Sequence, residues 1–301
     1  MDHLGNDLAP ILVTGAAGYL GGHVLANLKG KRLPCIATSR NGAVGAVCDL
    51  ADIGAVRILL DRIRPSIIIH CAAEVPKYAS AYDDAQAAEA SVAIAKVIAQ
   101  TAACPVVFAS SMTVYTGIEV HPVREDDAIP PQTGYARGKW LAEQVLFNRE
   151  FPGDVALRLP GLFGLPRRTG LLYNAAKGFL SQGKFEPAVT PHIIWAAMDV
   201  RDAAEYLVRA ALAASAGYPP QPVNVGYEGN FSVLAAVTEI AAQCGLTWEL
   251  LSQDTQSFSM SLERLKYRYG ILPMTFHQRL EELIEVARCD LLAERAGASD
   301  A

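Results

Sequence analysis

The amino-acid sequence predicts an α/β fold, a doubly wound parallel sheet with a smaller mixed region in the C-terminal half. Over residues 1–160, short and wholly apolar runs alternate with longer amphipathic runs. Strands that are apolar on both faces are typical of a parallel sheet covered by helices on both sides. A glycine-rich loop directly after the first apolar run is typical of the strand-to-helix turn that opens such a sheet.

The predicted elements alternate along the chain. We expect strands at residues 11–13, 35–38, 67–69, 106–108, 155–157 and 222–225, and helices at 19–29, 53–63, 84–103, 134–149, 171–182, 202–214 and 231–244. This order predicts βαβ units. Beyond Arg158, glycine, proline and arginine become frequent. We therefore predict one domain over 1–160, to which 198–226 return, and a substrate-binding region over most of 161–301.

Composition narrows the class of protein. The chain has 301 residues, of which 51% are hydrophobic and 19% charged, a balance that favours a large core over disorder. Its net charge of -5 disfavours general nucleic-acid binding. We see no signal-peptide pattern, no uninterrupted apolar span and no metal-ligand spacing among the six cysteines. We expect a cytoplasmic protein without nucleic-acid, membrane or metal partners.

The glycine loop occupies residues 14–21 (TGAAGYLG). Gly15 permits a tight turn, Gly18 lets the backbone approach a pyrophosphate, and Gly21 lets the helix pack on the strand. The next helix then directs free N–H groups at phosphate oxygens. Because the loop opens a βαβ pattern, it predicts a Rossmann-like dinucleotide site rather than an ordinary turn. The expected cofactor contacts here are Gly15, Ala17, Gly18, Tyr19, Leu20 and Gly21.

The end of the second predicted strand indicates which dinucleotide binds. An NAD site usually has an acidic residue about 20 positions beyond the loop. Here the corresponding positions hold Ser39, Arg40 and Asn41, and none is acidic. Since a guanidinium matches the geometry of a phosphate, Ser39 and Arg40 favour NADP, with NAD as the alternative.

Three residues form the predicted catalytic set. Tyr135 and Lys139 are four residues apart, so they lie on one face of a helix. A nearby ammonium lowers the pKa of a tyrosine, which makes Tyr135 the candidate general acid/base. Ser111 follows the strand at 106–108, at the sheet edge where ligands bind, and its hydroxyl can orient a reacting oxygen.

These motifs together resemble those of the extended short-chain dehydrogenase/reductases, a family of nucleotide-sugar epimerases, dehydratases and reductases. The resemblance covers nearly the whole chain. It includes Ser111 four residues before Tyr115, and the segments 70–73 (HCAA) and 158–164 (RLPGLFG). It implies that Lys139 also positions the nicotinamide ribose. The cofactor contacts that it implies are Asp49, Leu50, His70, Ala72, Ala73, Tyr135, Lys139 and Pro160.

Departures from the family pattern bear on the substrate. Ser91 takes the place of an asparagine, Gly161 replaces a substrate-contacting asparagine, and Phe163 replaces a tyrosine. Dehydratases of the family carry an acidic pair where this chain has Met112 and Thr113, which disfavours dehydration. Residues 59–73 also resemble the sugar 4-ketoreductases. The candidate substrate contacts are Lys77, Ser111, Met112, Thr113, Gly161, Arg167 and Arg168, the two arginines as binders of a diphosphate.

The sequence thus predicts an NAD(P)-dependent oxidoreductase that reduces a nucleotide-linked keto-sugar. One alternative is a nucleotide-sugar epimerase that retains NAD and uses the same three residues. The other, of a different class, is a non-catalytic regulatory protein that senses a dinucleotide. The resemblance implies a homodimer formed through the helix bearing Tyr135 and the long helix before it.

Overall fold

A computed structural model describes residues 9–75, 82–119, 121–132, 134–187, 194–248 and 257–299. Strands and helices alternate through most of these ranges. The strands are β1 (Ile11–Thr14), β2 (Cys35–Ser39), β3 (Ala46–Val47), β4 (Ile67–His70), β5 (Val106–Ser111), β6 (Val155–Leu159), β7 (Gly161–Phe163), β8 (Ala197–Asp199) and β9 (Gln221–Asn224). The helices are α1 (Tyr19–Gly30), α2 (Ile53–Ile63), α3 (Ala85–Thr101), α4 (Gly134–Phe147), α5 (Leu171–Gln182), α6 (Val200–Ala213), α7 (Val233–Gln243), α8 (Glu263–Tyr269) and α9 (Phe276–Ser299).

The main sheet has seven parallel strands in the order β3-β2-β1-β4-β5-β6-β9. Helices α1 and α6 pack together, as do α3 and α4. Consecutive residues of β5 pack in different cores, on opposite faces of the sheet. Val107 packs in the cluster that includes α1 and α6, and Phe108 packs in the cluster that includes α2, α3 and α4. The predicted doubly wound parallel sheet is confirmed, because its strands are covered on both faces.

The C-terminal elements form a third core. Residues of α5, α7 and α9 pack around Phe179, Ile240 and Leu283. Helices α8 and α9, the short strand β3 and the two-stranded sheet β7-β8 were not predicted from the sequence. Strands of two or three residues carry too little periodicity to be detected. Strand β9 lies at the edge of the main sheet, beside β6. The proposed division into domains at residue 160 stays a prediction.

The described ranges offer neither a candidate membrane-spanning helix nor a candidate metal site. None of their helices combines the length and the apolar character needed to cross a membrane. The same ranges contain no group of three or more histidine, cysteine, aspartate or glutamate side chains placed to hold a metal ion.

Candidate active site

The glycine loop is fixed by close backbone contacts at the carboxyl end of β1. Gly15 has a φ of +67°, and a Cβ there would lie 2.6 Å from the backbone nitrogen of Ala72. A Cβ on Gly21 would lie 2.3 Å from the carbonyl oxygen of Gly15. Both positions therefore require glycine, and the loop lies directly against the end of β4. Helix α1 begins at Tyr19 without a side-chain cap, so its first N–H groups have no side-chain acceptor.

A groove of about 770 Å³ runs along this edge of the sheet. Nine of the predicted cofactor contacts line it: Gly15, Ala17, Gly18, Ser39, Arg40, Asp49, Leu50, Ala72 and Ala73. Nine further residues, which were not among the predicted cofactor contacts, also line it: Thr38, Asn41, Cys48, Ala51, Cys71, Glu74, Ala90, Ala93 and Ile94. The hydroxyl of Thr38 is buried without a hydrogen-bond partner within the described residues. A groove with a glycine cradle and an unpaired hydroxyl fits a dinucleotide.

The residues at the end of β2 differ in their freedom to bind a phosphate. The Ser39 hydroxyl donates to the carbonyl oxygen of Val44 at 2.9 Å and accepts from the Val44 N–H at 3.1 Å. Its side chain therefore closes the following loop, which leaves Arg40 as the exposed cation at this position. Asp49 is exposed, and its carboxylate accepts from the N–H of Ala51 at 3.0 Å.

His70 is a buried core residue at the end of β4, with 1% of its surface exposed. Its Nδ1 lies 2.7 Å from the hydroxyl of Thr14, and its ring stacks on Phe108. Burial, with a smaller effect of Lys139, lowers the pKa of His70 to about 3, so the imidazole stays neutral. Its predicted contact with the cofactor stays a prediction.

Close packing positions the catalytic helix α4. Gly134 has a φ of +64°, and a Cβ there would lie 1.9 Å from the carbonyl oxygen of Tyr82, which accepts from the N–H of Tyr135 at 2.8 Å. A Cβ on Gly138 would lie 2.5 Å from Cα of Ala88 on α3. Glycine at both positions therefore allows α4 to approach its neighbours closely.

Tyr135 is held as a neutral phenol. Burial raises its pKa well above the usual value, and the nearby Tyr82 acts in the same direction. A hydrogen bond with Ser111 partly opposes this rise. The rings of the two tyrosines meet edge to face at 5.5 Å between centroids. The expected lowering of the Tyr135 pKa by Lys139 is not among these causes.

Ser111 is oriented by its own chain. It caps the short 3-10 helix Met112–Tyr115, and its oxygen accepts from the N–H of Thr113 at 3.2 Å. The Thr113 hydroxyl also donates to this oxygen, at 3.0 Å. With two donors directed at Ser111, its own proton is free to point towards Tyr135 or towards a substrate oxygen.

Lys139 lies behind the tyrosine, with 3% of its surface exposed. Its ammonium donates to the carbonyl oxygen of Ala109 at 2.6 Å and lies 4.7 Å from the ring centroid of Phe108. Burial lowers the pKa of Lys139 to about 8, whereas nearby Cys71 and Glu143 oppose the change. Burial also raises the pKa of Cys71 to about 12, so this cysteine remains a thiol.

A network of buried charged and polar side chains lies beside the predicted catalytic residues. Glu143, one helical turn after Lys139, accepts from the hydroxyl of Ser110 at 2.5 Å and pairs with Arg158 at 2.7 Å. Arg158 also donates to the Tyr115 hydroxyl at 2.8 Å. Glu143 was not predicted from the sequence, although its spacing of four from Lys139 places it on the same helix face.

The sequence matches the NAD dependent epimerase/dehydratase family over residues 11–226. The chain belongs to this family. The predicted relationship to the extended short-chain dehydrogenase/reductases, which are NAD-dependent enzymes, is therefore confirmed.

Curated relatives of this family member differ in how much of their length is matched. A dTDP-4-keto-6-deoxy-D-glucose reductase of Streptomyces niveus is 28% identical over 161 residues, 51% of this chain and 52% of that protein. Methionine adenosyltransferase 2 subunit beta of Danio rerio is 31% identical over 157 residues, 51% and 48% of the two chains. The spore coat polysaccharide biosynthesis protein SpsK of Bacillus subtilis is 25% identical over 290 residues, 92% and 98%. The chain thus spans about half the length of the first two.

Solved structures share the fold over nearly the whole chain. The UDP-glucose 4-epimerase of Thermotoga maritima, solved with UDP-glucose, has a TM-score of 0.74 at 17% identity and covers 94% of this chain and 99% of its own. MoeE5, solved with UDP-glucose and NAD, has a TM-score of 0.72 at 21% identity, with coverage of 94% and 99%. At such identities the likeness shows the fold.

The predicted substrate contacts of this epimerase/dehydratase family member lie in different surroundings. Met112 is buried, and Gly161 is exposed in β7. Arg167 lies over the ring of Tyr19, at the glycine loop. Arg168 is paired with Asp290 of α9 at 2.7 Å. Its Nε is therefore engaged in an exposed ion pair, and its predicted contact with a diphosphate stays a prediction.

The remaining predicted contacts also differ in their surroundings. Thr113 lies beside Ser111, as the sequence spacing suggests. Pro160 is buried at the end of β6. Lys77 lies outside the described residues. Ser91, the residue in place of the family's asparagine, is buried, and its hydroxyl has no partner within the described part of the chain.

Proposed function

We propose that this protein is an NAD(P)-dependent oxidoreductase that reduces the keto group of a nucleotide-linked sugar. The observation that carries the proposal is the meeting of Ser111, Tyr135 and Lys139 at the carboxyl end of β5, beside the groove that fits a dinucleotide. Tyr135 is a neutral phenol there, which is the form that can donate a proton to a carbonyl oxygen.

Each of the three residues has a part in the proposed reaction. A nicotinamide dinucleotide supplies the hydride when it is bound. Ser111 donates a hydrogen bond to the carbonyl oxygen and orients it beside Tyr135, which releases its proton to that oxygen. The Lys139 ammonium, whose centre lies 5.7 Å from the Tyr135 ring centroid, favours the phenolate that this transfer leaves behind.

We propose NADP as the preferred dinucleotide. The support is the absence of a carboxylate at residues 39–41 and the exposed Arg40 at the groove. Because the Ser39 side chain is engaged with Val44, this proposal rests on Arg40 alone. A guanidinium at this position binds the 2′-phosphate through charge-assisted hydrogen bonds.

The relatives favour the reductase, and they also support two rival functions. Similarity to the dTDP-keto-sugar reductase of Streptomyces niveus supports reduction of a nucleotide-sugar. Similarity to the UDP-glucose 4-epimerase of Azospirillum brasilense, which is 32% identical over 153 residues, supports an epimerase. Similarity to a methionine adenosyltransferase subunit supports a regulatory protein. The complete catalytic set disfavours this last function, since a sensor has no use for a proton donor.

We further propose a homodimer formed through α3 and α4. These two helices pack on each other, and their outer faces border a surface cleft that includes Val92 and Leu141. Sedimentation of the purified protein tests this proposal, and a monomer at micromolar concentration contradicts it.

The test of function compares Tyr135→Phe with Tyr82→Phe. Purified protein is analysed for bound nicotinamide, and the emptied protein is assayed with dTDP-4-keto-6-deoxyglucose and NADPH. Removal of the Tyr135 hydroxyl should lower kcat by about 10²- to 10⁴-fold and leave the Kd for NADPH unchanged. Tyr82→Phe should retain turnover, since it removes a hydroxyl beside the proton donor and leaves the donor itself.

The outcomes separate the proposed function from its rivals. Stoichiometric bound NAD with interconversion of sugar epimers indicates the epimerase. NADPH oxidation by wild type that persists in Tyr135→Phe contradicts the proposed mechanism. Binding of NADPH without turnover of any nucleotide keto-sugar, in wild type and variant alike, indicates the regulatory protein.

A further inference from the structure

The turn after β7 packs against the glycine loop and the start of α1. The hydroxyl of Tyr19 donates to the carbonyl oxygen of Gly164 at 2.6 Å. One turn later on the same helix, the His23 ring nitrogen lies 2.9 Å from the carbonyl oxygen of Leu165. A segment predicted to face the substrate is thereby attached to the phosphate-binding end of α1.

Arg167 presents its guanidinium beside this loop. Its central carbon lies 4.1 Å from the ring centroid of Tyr19, and one nitrogen donates to the carbonyl oxygen of Leu162 at 3.1 Å. Within the residues that the structure describes, the exposed Arg167 forms no salt bridge and one hydrogen bond, so most of its N–H donors have no acceptor in the protein. Stacking on the aromatic ring limits the directions in which those donors point.

Arg167 also lines a cleft next to the cofactor groove. The cleft has a volume of about 490 Å³ and is lined by Ala17, Gly18, Tyr19, Gly22, His23, Ala26, Pro166 and Arg167. Ala17 and Gly18 line the cofactor groove as well. The first turn of α1 has no acidic side chain and its start has no side-chain cap, so an anion here meets free N–H groups from the helix.

We propose that Arg167 binds the diphosphate of the dinucleotide from the side opposite the N-terminus of α1. It is then a cofactor residue rather than the substrate residue that the sequence suggested. This assignment rests on the proposed function, because it requires a dinucleotide in the groove. A guanidinium fork and a row of backbone N–H groups would hold the two phosphates between them.

The neighbouring arginine supplies a matched control. Arg168 has the same charge and an exposed side chain, yet its Nε pairs with Asp290 of α9 at 2.7 Å. The two positions thus share their net effect on the charge of the protein and differ in what they contact. A loss specific to Arg167 cannot be attributed to a change in overall charge.

The experiment measures binding to emptied protein without turnover. Wild type, Arg167→Gln, Arg167→Lys and Arg168→Gln are titrated with NADPH and NADH by fluorescence, and ADP and adenosine compete for the site. Arg167→Gln should weaken both dinucleotides and ADP by about 10- to 100-fold. Adenosine, which has no phosphate, should bind all four proteins equally. Arg167→Lys should lie between wild type and Arg167→Gln, and Arg168→Gln should match wild type.

Three results overturn the assignment. The first is an unchanged Kd in Arg167→Gln with normal binding by wild type, which leaves the proposed function intact. The second is an equal loss in Arg168→Gln, or an equal loss for adenosine, either of which indicates an effect that does not involve the diphosphate. The third is wild type that binds neither dinucleotide, which overturns the proposed cofactor site itself. Thermal unfolding of each variant verifies that the protein is folded under the conditions of the titration.

Discussion

The two ends of strand β6 each carry a buried ion pair, and the pairs differ in what surrounds them. At the amino end, Asp154 pairs with Arg149 at 2.5 Å and accepts from the N–H of Val106. Arg149 also donates to the carbonyl oxygens of Ala102 and Cys104. These contacts connect the segment after α4 to the segment that leads into β5. They stabilise the backbone of the loop there.

At the carboxyl end, the pair formed by Glu143 and Arg158 lies among the residues of the candidate active site. Glu143 also accepts from Ser110, the neighbour of Ser111, and it follows Lys139 by one helical turn. Here burial holds Lys139 with a lowered pKa and Tyr135 with a raised one. The buried ion pair at the amino end thus stabilises loop backbone. The buried ion pair at the carboxyl end lies beside groups that are proposed to exchange protons.

The largest expected effect comes from removing one charge of the carboxyl-end pair. Glu143→Gln keeps the shape of the side chain and leaves Arg158 buried without a counter-charge. We expect the free energy of unfolding to fall by about 3–5 kcal/mol, because the desolvation of Arg158 is no longer offset. Urea denaturation measures the loss, and the activity of the folded fraction should fall with it. A change below about 1 kcal/mol contradicts the importance of this pair.

A smaller effect is expected from the amino-end pair. Asp154→Asn should lower the free energy of unfolding by about 1–3 kcal/mol, since Arg149 and the N–H of Val106 lose a charged acceptor. Its kcat/KM and its Kd for NADPH should stay within about twofold of wild type, because Asp154 lies five residues, or about 16 Å, along the strand from the level of Ser111. Urea denaturation and steady-state kinetics check both parts. A tenfold loss of kcat/KM, about 1.4 kcal/mol, would remove the contrast between the two ends.

The smallest effect is the pH dependence set by Lys139. Its pKa is lowered to about 8, so the ammonium is present below that pH and is lost as the pH rises through it. Because the cation favours the phenolate of Tyr135, kcat/KM should fall about tenfold for each pH unit above this value. His70, with a pKa of about 3, stays neutral throughout and Tyr135 stays a phenol, so neither contributes to this limb.

Steady-state kinetics from neutral to alkaline pH check this expectation. In Lys139→Arg, a guanidinium that keeps its proton should move the decline in kcat/KM to higher pH. A wild-type profile that stays flat through the pKa of Lys139 would argue against a role for its charge.

The sequence by itself determined the parts of this protein that local pattern specifies. Apolar runs and amphipathic periods predicted β1, β2, β4, β5, β6 and β9, together with α1 to α7, most of them within a few residues of their ends. The glycine loop and the spacing of Ser111, Tyr135 and Lys139 predicted where the site lies. These features are local because a turn, a helix face and a strand end each depend on a few consecutive residues.

Only the tertiary structure decided how distant segments meet. It brought Arg167 onto Tyr19 and paired Arg168 with Asp290. Arg167 and Arg168 cannot be distinguished in the sequence. Their surroundings differ only in the folded chain, which places an aromatic ring beside the first and a carboxylate beside the second. Contacts across more than a hundred residues have no local period, so no pattern along the chain encodes them.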